Sequence, residues 1–214
     1  MSSTPPPCRI LVRSKQGLEI FTVPERATDA AASTNTNKED RTFLLKGSTT
    51  FQHVSPDGSA AYVQVVGHGI VKVDLTTTTT QTTTITSNTP PFLADTKNVQ
   101  MFHQSPSGAY LLTWERLYEE TCPNNLKLWS AKTGSLVAAF PQKALKREGW
   151  PYLQWTPDEQ YALLMGTNEV RVYPAEAFVG NHNSTEVRYT DKLRISGISS
   201  MSVAPTSAPA SASA

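Results

Sequence analysis

Apolar and polar positions alternate along this chain in short runs, and a recurring turn separates the runs. From Val99 to Trp114 it reads V-Q-M-F-H-Q-S-P-S-G-A-Y-L-L-T-W. One apolar run enters Ser105-Pro106-Ser107-Gly108 and a second leaves it. Short runs of this kind bounded by Ser, Pro and Gly predict strand, tight turn, strand. Upstream, Phe51-Gln52-His53-Val54 leads into Ser55-Pro56-Asp57-Gly58, and Ala60-Ala61-Tyr62-Val63 follows. Downstream, Tyr152-Leu153-Gln154-Trp155 leads into Thr156-Pro157-Asp158-Glu159, and Tyr161-Ala162-Leu163-Leu164 follows. The turn residues Pro56, Pro106 and Pro157 stand 50 and 51 positions apart. A fixed period of that size in an all-strand pattern predicts propeller blades or similar stacked sheets.

The rest of the chain fills in around these phrases. Residues 8–13 and 17–23 predict two strands joined by a turn at Ser14–Gln16, and 41–46 an outer strand after a charged loop at 24–40. The first repeat continues with strands over 60–66 and 69–75, turned at Gly67-His68-Gly69. Its outer strand is replaced by the nearly all-threonine run 76–86, which favours strand but has little to bury. The second repeat predicts a full four-stranded blade over 99–105, 110–115, 125–131 and 135–140, with an insertion at 116–124 holding Glu119, Glu120 and Cys122. The third predicts strands over 152–156, 161–166 and 169–173, with an outer strand within 186–189. Residues 193–203 read as the innermost strand of one more blade, since Pro205 follows Pro157 by 48 positions. The expected organisation is a disordered segment 1–7, a partial β-propeller over 8–203 and a low-complexity tail at 204–214. Its repeats lie near 51–98, 99–150 and 151–196. The fold class is all-β, an incomplete WD-like β-propeller of about three and a half four-stranded blades.

Composition narrows the chemistry. A formal net charge of +1 over 214 residues argues against a general polyanion binder and permits a local basic face. Two cysteines, Cys8 and Cys122, make no disulfide framework and fit a reducing, cytoplasmic setting. Met1–Pro7 reads as no signal peptide, so Asn183-Ser184-Thr185 is not a glycosylation site, and no run approaches the ~20 apolar residues of a membrane-spanning helix. The four histidines lack metal-type spacing with cysteine or carboxylate, and His68 and His182 fall in turns or loops. No G-x-G-x-x-G, P-loop or G-x-S-x-G is present. Asp57 and Asp158 suit turn positions through Asx-type bonding. No enzyme activity, metal or cofactor is expected.

The candidate contact residues are basic. From Leu126 to Arg147 the chain carries Lys127, Lys132, Lys143, Lys146 and Arg147 and no acid. Spread over the turns of one blade, these would form a basic rim for RNA phosphates; the plainer alternative is an ordinary solvated face, since Glu148 follows at once. Trp150, between Gly149 and Pro151, is the candidate stacking contact, whereas Trp129 and Trp155 fall inside strand phrases and read as core. His53, His103 and Gln154 recur three residues before Pro56, Pro106 and Pro157. A position shared between repeats, like Gly58 and Gly108 in the turns, reads as structural, its side chain bonding to the adjacent turn.

These phrases, in their order, resemble the N-terminal region of the eukaryotic translation initiation factor 2A family. The resemblance is carried by Gly17-Leu18 to Val23, S-P-D-G at Ser55, and S-P-S-G followed by Leu111–Trp114. It continues through N-L-K-L-W-S-A-K-T-G at 125–134, W-P-Y-L-Q-W-T-P at 150–157 and N-E-V-R-V-Y at 168–173. It implies a WD-repeat-like propeller that binds the small ribosomal subunit and supports delivery of initiator tRNA without GTP hydrolysis. It implies no DNA and no membrane partner, and leaves contacts to other initiation factors open. The propeller of the b-type component of initiation factor 3 is near in pattern, and a generic propeller scaffold for protein contacts is the further alternative. A propeller hydrolase would need an acid or histidine cluster around the channel, where this chain offers His53, His103 and Gln154. The family's propeller runs on for several more blades and a tail with helical and basic segments. A fragment with open apolar faces is therefore expected here.

Overall fold

Each strand-turn-strand phrase folds because the turn is closed by its own side chains. The computed structural model describes residues 8–23, 40–76, 83–84, 89–116, 124–142, 147–179 and 187–204. In it, the hydroxyls of Ser55, Ser105 and Thr156 accept the amides of Ala60, Tyr110 and Tyr161 at 2.9, 3.2 and 3.0 Å. The amides of Ser55, Ser105 and Thr156 donate back to the carbonyls of the same three partners at 2.8, 3.0 and 2.9 Å. The third turn residue also accepts an amide: Asp57 from Ser59 at 3.0 Å, Ser107 from Ala109 at 3.2 Å, Asp158 from Gln160 at 3.1 Å. The fourth turns left-handed, with φ 71° at Gly58, 76° at Gly108 and 52° at Glu159. Glycine enters that region without steric cost, and glutamate does not.

The chain divides into two compact units, 1–92 and 93–214. The first holds two sheets. Strands β1 (Cys8–Ser14), β2 (Gly17–Val23) and β3 (Asp40–Lys46) form an antiparallel meander. Gly17 is required at its turn, because a β-carbon there would stand 1.9 Å from the Leu45 carbonyl oxygen. Strands β4 (Thr49–Val54), β5 (Ala60–Val65) and β6 (Gly69–Asp74) form the second sheet. The two share a core of Leu18, Leu45, Ala61, Val63, Val65, Val71 and Val73. Polar ties join their edge strands: the Arg13 guanidinium donates to the carbonyls of Thr49, at 2.9 Å, and Thr50, and Gln52 Nε2 donates to the Leu11 carbonyl at 3.3 Å. Strand β7 (Thr83–Thr84) adds to β3 in the parallel sense, Leu45 opposite Thr83.

The second unit holds the third and fourth sheets. The third comprises β8 (Val99–Gln104), β9 (Tyr110–Glu115), β10 (Leu126–Ser130) and β11 (Leu136–Phe140), side by side in chain order. The fourth comprises β12 (Leu153–Trp155), β13 (Tyr161–Met165), β14 (Glu169–Pro174) and β15 (Asp191–Arg194), again in chain order. Leu112, Leu126, Leu128, Val137 and Phe140 pack with Leu153, Trp155, Ala162, Leu164 and Tyr173 in one core. Tyr110 stacks on Trp155 at 4.9 Å and 10°. Glu159 spans from the fourth sheet's turn to the third's, accepting the Ser107 amide at 2.5 Å and hydroxyl at 2.7 Å.

The architecture is all-β and propeller-like, four sheets of three or four strands each. It corrects two expectations and adds one pairing. The threonine run, expected in place of an outer strand of the second sheet, contributes Thr83–Thr84 to the first, and the second has three strands among the described residues. The fourth sheet's outer strand is Asp191–Arg194, not a strand within 186–189. Residues 195–204 form no strand; the chain turns at Ser196-Gly197, with φ 71° at Gly197. The predicted segment 1–7, most of the loop 24–40, the insertion around Glu119 and Cys122, and the tail beyond 204 lie outside the described residues.

Candidate functional site

The edge strands β8 and β12 border a cleft of about 640 Å³. Its lining comes from the end of β8 with Pro106, from Glu148–Pro151, from β12 and from Ser200–Val203. The recurrent position before the turn proline divides in role here. Gln154 Nε2 donates to the carbonyls of Pro151, at 3.2 Å, and Met201, at 2.7 Å, rather than to its own turn. His103 lines the cleft, and His53 is exposed, edge-on to Phe51 at 6.1 Å. The three occupy matching registers, opposite Tyr62, Leu112 and Leu163. Among the described residues no group of three or more His, Cys, Asp or Glu is arranged to hold a metal.

The described basic residues stand in three different local settings. Lys127 lies mid-strand, its Nζ 3.3 Å from Glu115 Oε1 and 5.9 Å over the Trp129 ring. The two side chains are only 14% and 9% exposed. Burial pushes the Glu115 carboxyl above its ordinary value; Lys127 opposes that shift and Asp95 adds to it. Lys132 is exposed at the end of the third sheet that carries the Ser105–Gly108 turn, where the Ala131 amide donates to Ala109 at 2.9 Å. Arg147 follows the opposite end of that sheet, where Phe140 pairs with Leu126. It is exposed, in a single 3-10 turn over Arg147–Gly149, and the half-buried Trp150 donates its amide to the Arg147 carbonyl at 3.2 Å. Arg147 and Trp150 are thus joined locally, and Trp150 lines the cleft together with Pro106. Lys143 and Lys146 lie outside the described residues.

One residue that organises this region, Asn125, carries no sequence signal of its own, whereas Trp129 and Trp155 are core as their strand phrases predict. Asn125 is fully buried. Its Nδ2 donates to the carbonyls of Glu115, at 2.9 Å, and Gln142, at 3.1 Å, and its Oδ1 accepts the Gln142 amide at 2.8 Å. One amide side chain thus joins the ends of β9, β10 and β11. A polar residue ahead of an apolar run reads equally as a loop, so spacing alone does not reveal this. Trp129 is buried and donates Nε1 to Thr113 Oγ1 at 2.8 Å, and Trp155 is buried in the shared core.

No protein-family model matches the chain. Over 109 residues, 50% of its length, it is 37% identical to the eukaryotic translation initiation factor 2A of Dictyostelium discoideum. Over 104 residues, 47% of its length, it is 40% identical to the protein of the same name from Schizosaccharomyces pombe. The chain spans 17% and 16% of those two proteins. A 93-residue stretch is 27% identical to the b-type component of eukaryotic translation initiation factor 3 of Mycosarcoma maydis, covering 12% of it. A crystal structure of a eukaryotic initiation factor matches 92% of this chain, and 42% of its own, with a TM-score of 0.60 and 25% identity. The chain is therefore homologous over about half its length to proteins of the initiation factor 2A type, and related through them to translation initiation factors.

Proposed function

We propose that the chain is a non-enzymatic, propeller-type binding module of translation initiation, acting in the cytoplasm on the small ribosomal subunit and supporting delivery of initiator tRNA. The observation that carries this reading is the 37–40% identity to initiation factor 2A, supported by the fold match to a solved initiation factor. The work is surface contact, needing no cofactor and no DNA or membrane partner. The weaker likeness to the b-type component of initiation factor 3 favours, as a second reading, a platform for other initiation factors.

Within this reading the ribosomal RNA contact falls to the connection after β11, at Lys143, Lys146 and Arg147 beside Trp150. Lys127 drops out of the contact set, since Glu115 neutralises it inside the sheet. Lys132 serves a separate contact at the other sheet end. Phosphate contacts release counterions, so affinity falls with salt, and each contact contributes about 0.7–0.9 to the slope of log affinity against log salt. The test is co-sedimentation with small subunits over a salt series. Changing Lys143, Lys146 and Arg147 together to Ala lowers the slope by about 2–3 units. Changing Lys38, Arg41 and Lys46 to Ala leaves it unaltered. Equal slopes for the parent and the first variant overturn the RNA contact, and absence of co-sedimentation at low salt overturns the ribosomal reading.

A further inference from the structure

We propose that Ile198–Val203 is a releasable strap latched by Gln154, and that the groove beneath it receives extended peptide segments with apolar side chains three positions apart.

After β15 the chain reverses and returns across the fourth sheet toward the edge strand β12. Asn168 guides the reversal: its carbonyl accepts the Ile195 amide at 3.0 Å and its side-chain oxygen the Gly197 amide at 3.2 Å. The returning segment then lies beside β12 without pairing. Among the described residues no backbone–backbone hydrogen bond joins 198–203 to a strand. Three things hold it. Ile198 and Met201 rest, partly buried, against the core of the second unit. Gln154 Nε2 grips the Met201 carbonyl at 2.7 Å. Ser199 lies against Gly149, where an added β-carbon would stand 3.0 Å from the Ser199 carbonyl oxygen and 3.1 Å from Met165 Cε.

Ser199 and Ser200 between these anchors, and Ser202 just after them, are exposed. A segment with two apolar anchors and one side-chain latch opens at far lower free energy than paired strands do. Its lifting widens the 640 Å³ cleft, of which Ser200–Val203 form one wall. What the groove then offers is defined by what it now holds: a side-chain amide that reads a backbone carbonyl, a glycine floor admitting main chain, and apolar seats for positions i and i+3. Backbone reading with alternate side-chain seats is how extended peptides are recognised. The bound peptide and the strap compete for one site, so the strap acts as an internal competitor.

The test uses the whole chain and a labelled peptide of residues 195–204, followed by fluorescence anisotropy. The variant Ile198→Ser with Met201→Ser frees the groove and binds the peptide at least about tenfold more tightly than the parent chain, as expected when an occupied site is vacated. Adding Gln154→Ala lowers that affinity by about fivefold to tenfold, the loss given by one hydrogen bond of ordinary strength. Hydrogen exchange on the parent chain is the second measurement and does not depend on the variant folding. Excess peptide displaces the strap and speeds exchange at the Ser199–Val203 amides while β13 stays protected. No peptide binding by a freed variant that keeps β13 protection, or unaltered strap exchange in the parent under excess peptide, overturns the proposal.

Discussion

Glu159 stands where the two upstream turns place glycine, with φ 52°. A left-handed backbone costs a side-chain-bearing residue about 1–2 kcal/mol. The carboxylate offsets this by accepting both the amide and the hydroxyl of Ser107, which ties the turns of the third and fourth sheets together. Two substitutions separate the terms. Glu159→Ala keeps the strained backbone and loses the tie, and is expected to destabilise the second unit by about 1–2 kcal/mol. Glu159→Gly loses the tie and relieves the strain, and is expected to fall within about 1 kcal/mol of the parent. Urea unfolding of both reads the difference; equal losses would show that backbone strain is not what distinguishes them. In the upstream turn, the Ser55 hydroxyl, then the amide and hydroxyl of Ser59, hold the Asp57 carboxyl down to about 2, from an ordinary 3.8. With the folded value lowered, its stabilising contribution is present above pH 3.8 and lost as pH falls toward 2. Carboxyl-carbon NMR titration should place the Asp57 midpoint near 2, and a midpoint near 3.8 would mean that these bonds do not form in solution.

At the scale of elements, the sequence was readable wherever apolar runs meet the Ser/Thr-Pro turn. The expected strands of the second repeat, 99–105, 110–115, 125–131 and 135–140, differ from the observed ones by no more than one residue at either end. Elements lacking such a run were not legible. Asp191–Arg194 contributes the single apolar residue Leu193, itself 47% exposed, because an outer edge strand buries little. Thr83–Thr84 joins β3 through backbone pairing, which leaves no hydrophobic mark. The Gln154–Met201 bond spans 47 positions and belongs to no local pattern. At the first hairpin, the observed close approach carries a prediction. Gly17→Ala drives a β-carbon against the Leu45 carbonyl and is expected to cost about 3 kcal/mol or more, beyond ordinary overpacking, because rigid backbone must move. Hydrogen exchange should show β2 and β3 losing protection while β13 keeps its own. Retained protection in β2 would contradict the register described for that sheet.

At the scale of the molecule, each unit buries its own core and also leaves aliphatic side chains in solvent. Ile10 and Val12 on the first sheet are 48% and 38% exposed, and Leu193 and Ile195, on and just after β15, are 47% and 49% exposed. Apolar groups clustered on strands invite self-association. Size-exclusion chromatography with light scattering is expected to show mass rising with concentration, and Leu193→Ser with Ile195→Ser to lower it. A constant monomer mass over the whole range would mean that these side chains are ordinary surface. The 50- and 51-residue period reveals the sheets that share the Ser/Thr-Pro turn, but not the first. Its hairpin closes instead on Ser14, whose hydroxyl accepts the Gln16 amide at 3.2 Å, so β1, β2 and β3 form a meander outside the repeat phrase.

The parallel pairing of Leu45 with Thr83 bears on the order of events during synthesis. A chain emerging from its N-terminus can zip β1, β2 and β3 at once, since they are neighbours joined locally. The outer border of β3 then waits while the residues of β4, β5 and β6 are made, and is capped only when Thr83 and Thr84 arrive. Closing so long an intervening loop carries an entropic cost that grows slowly with its length, and non-local pairings form late. The first sheet to begin is thus completed only after the second has been translated.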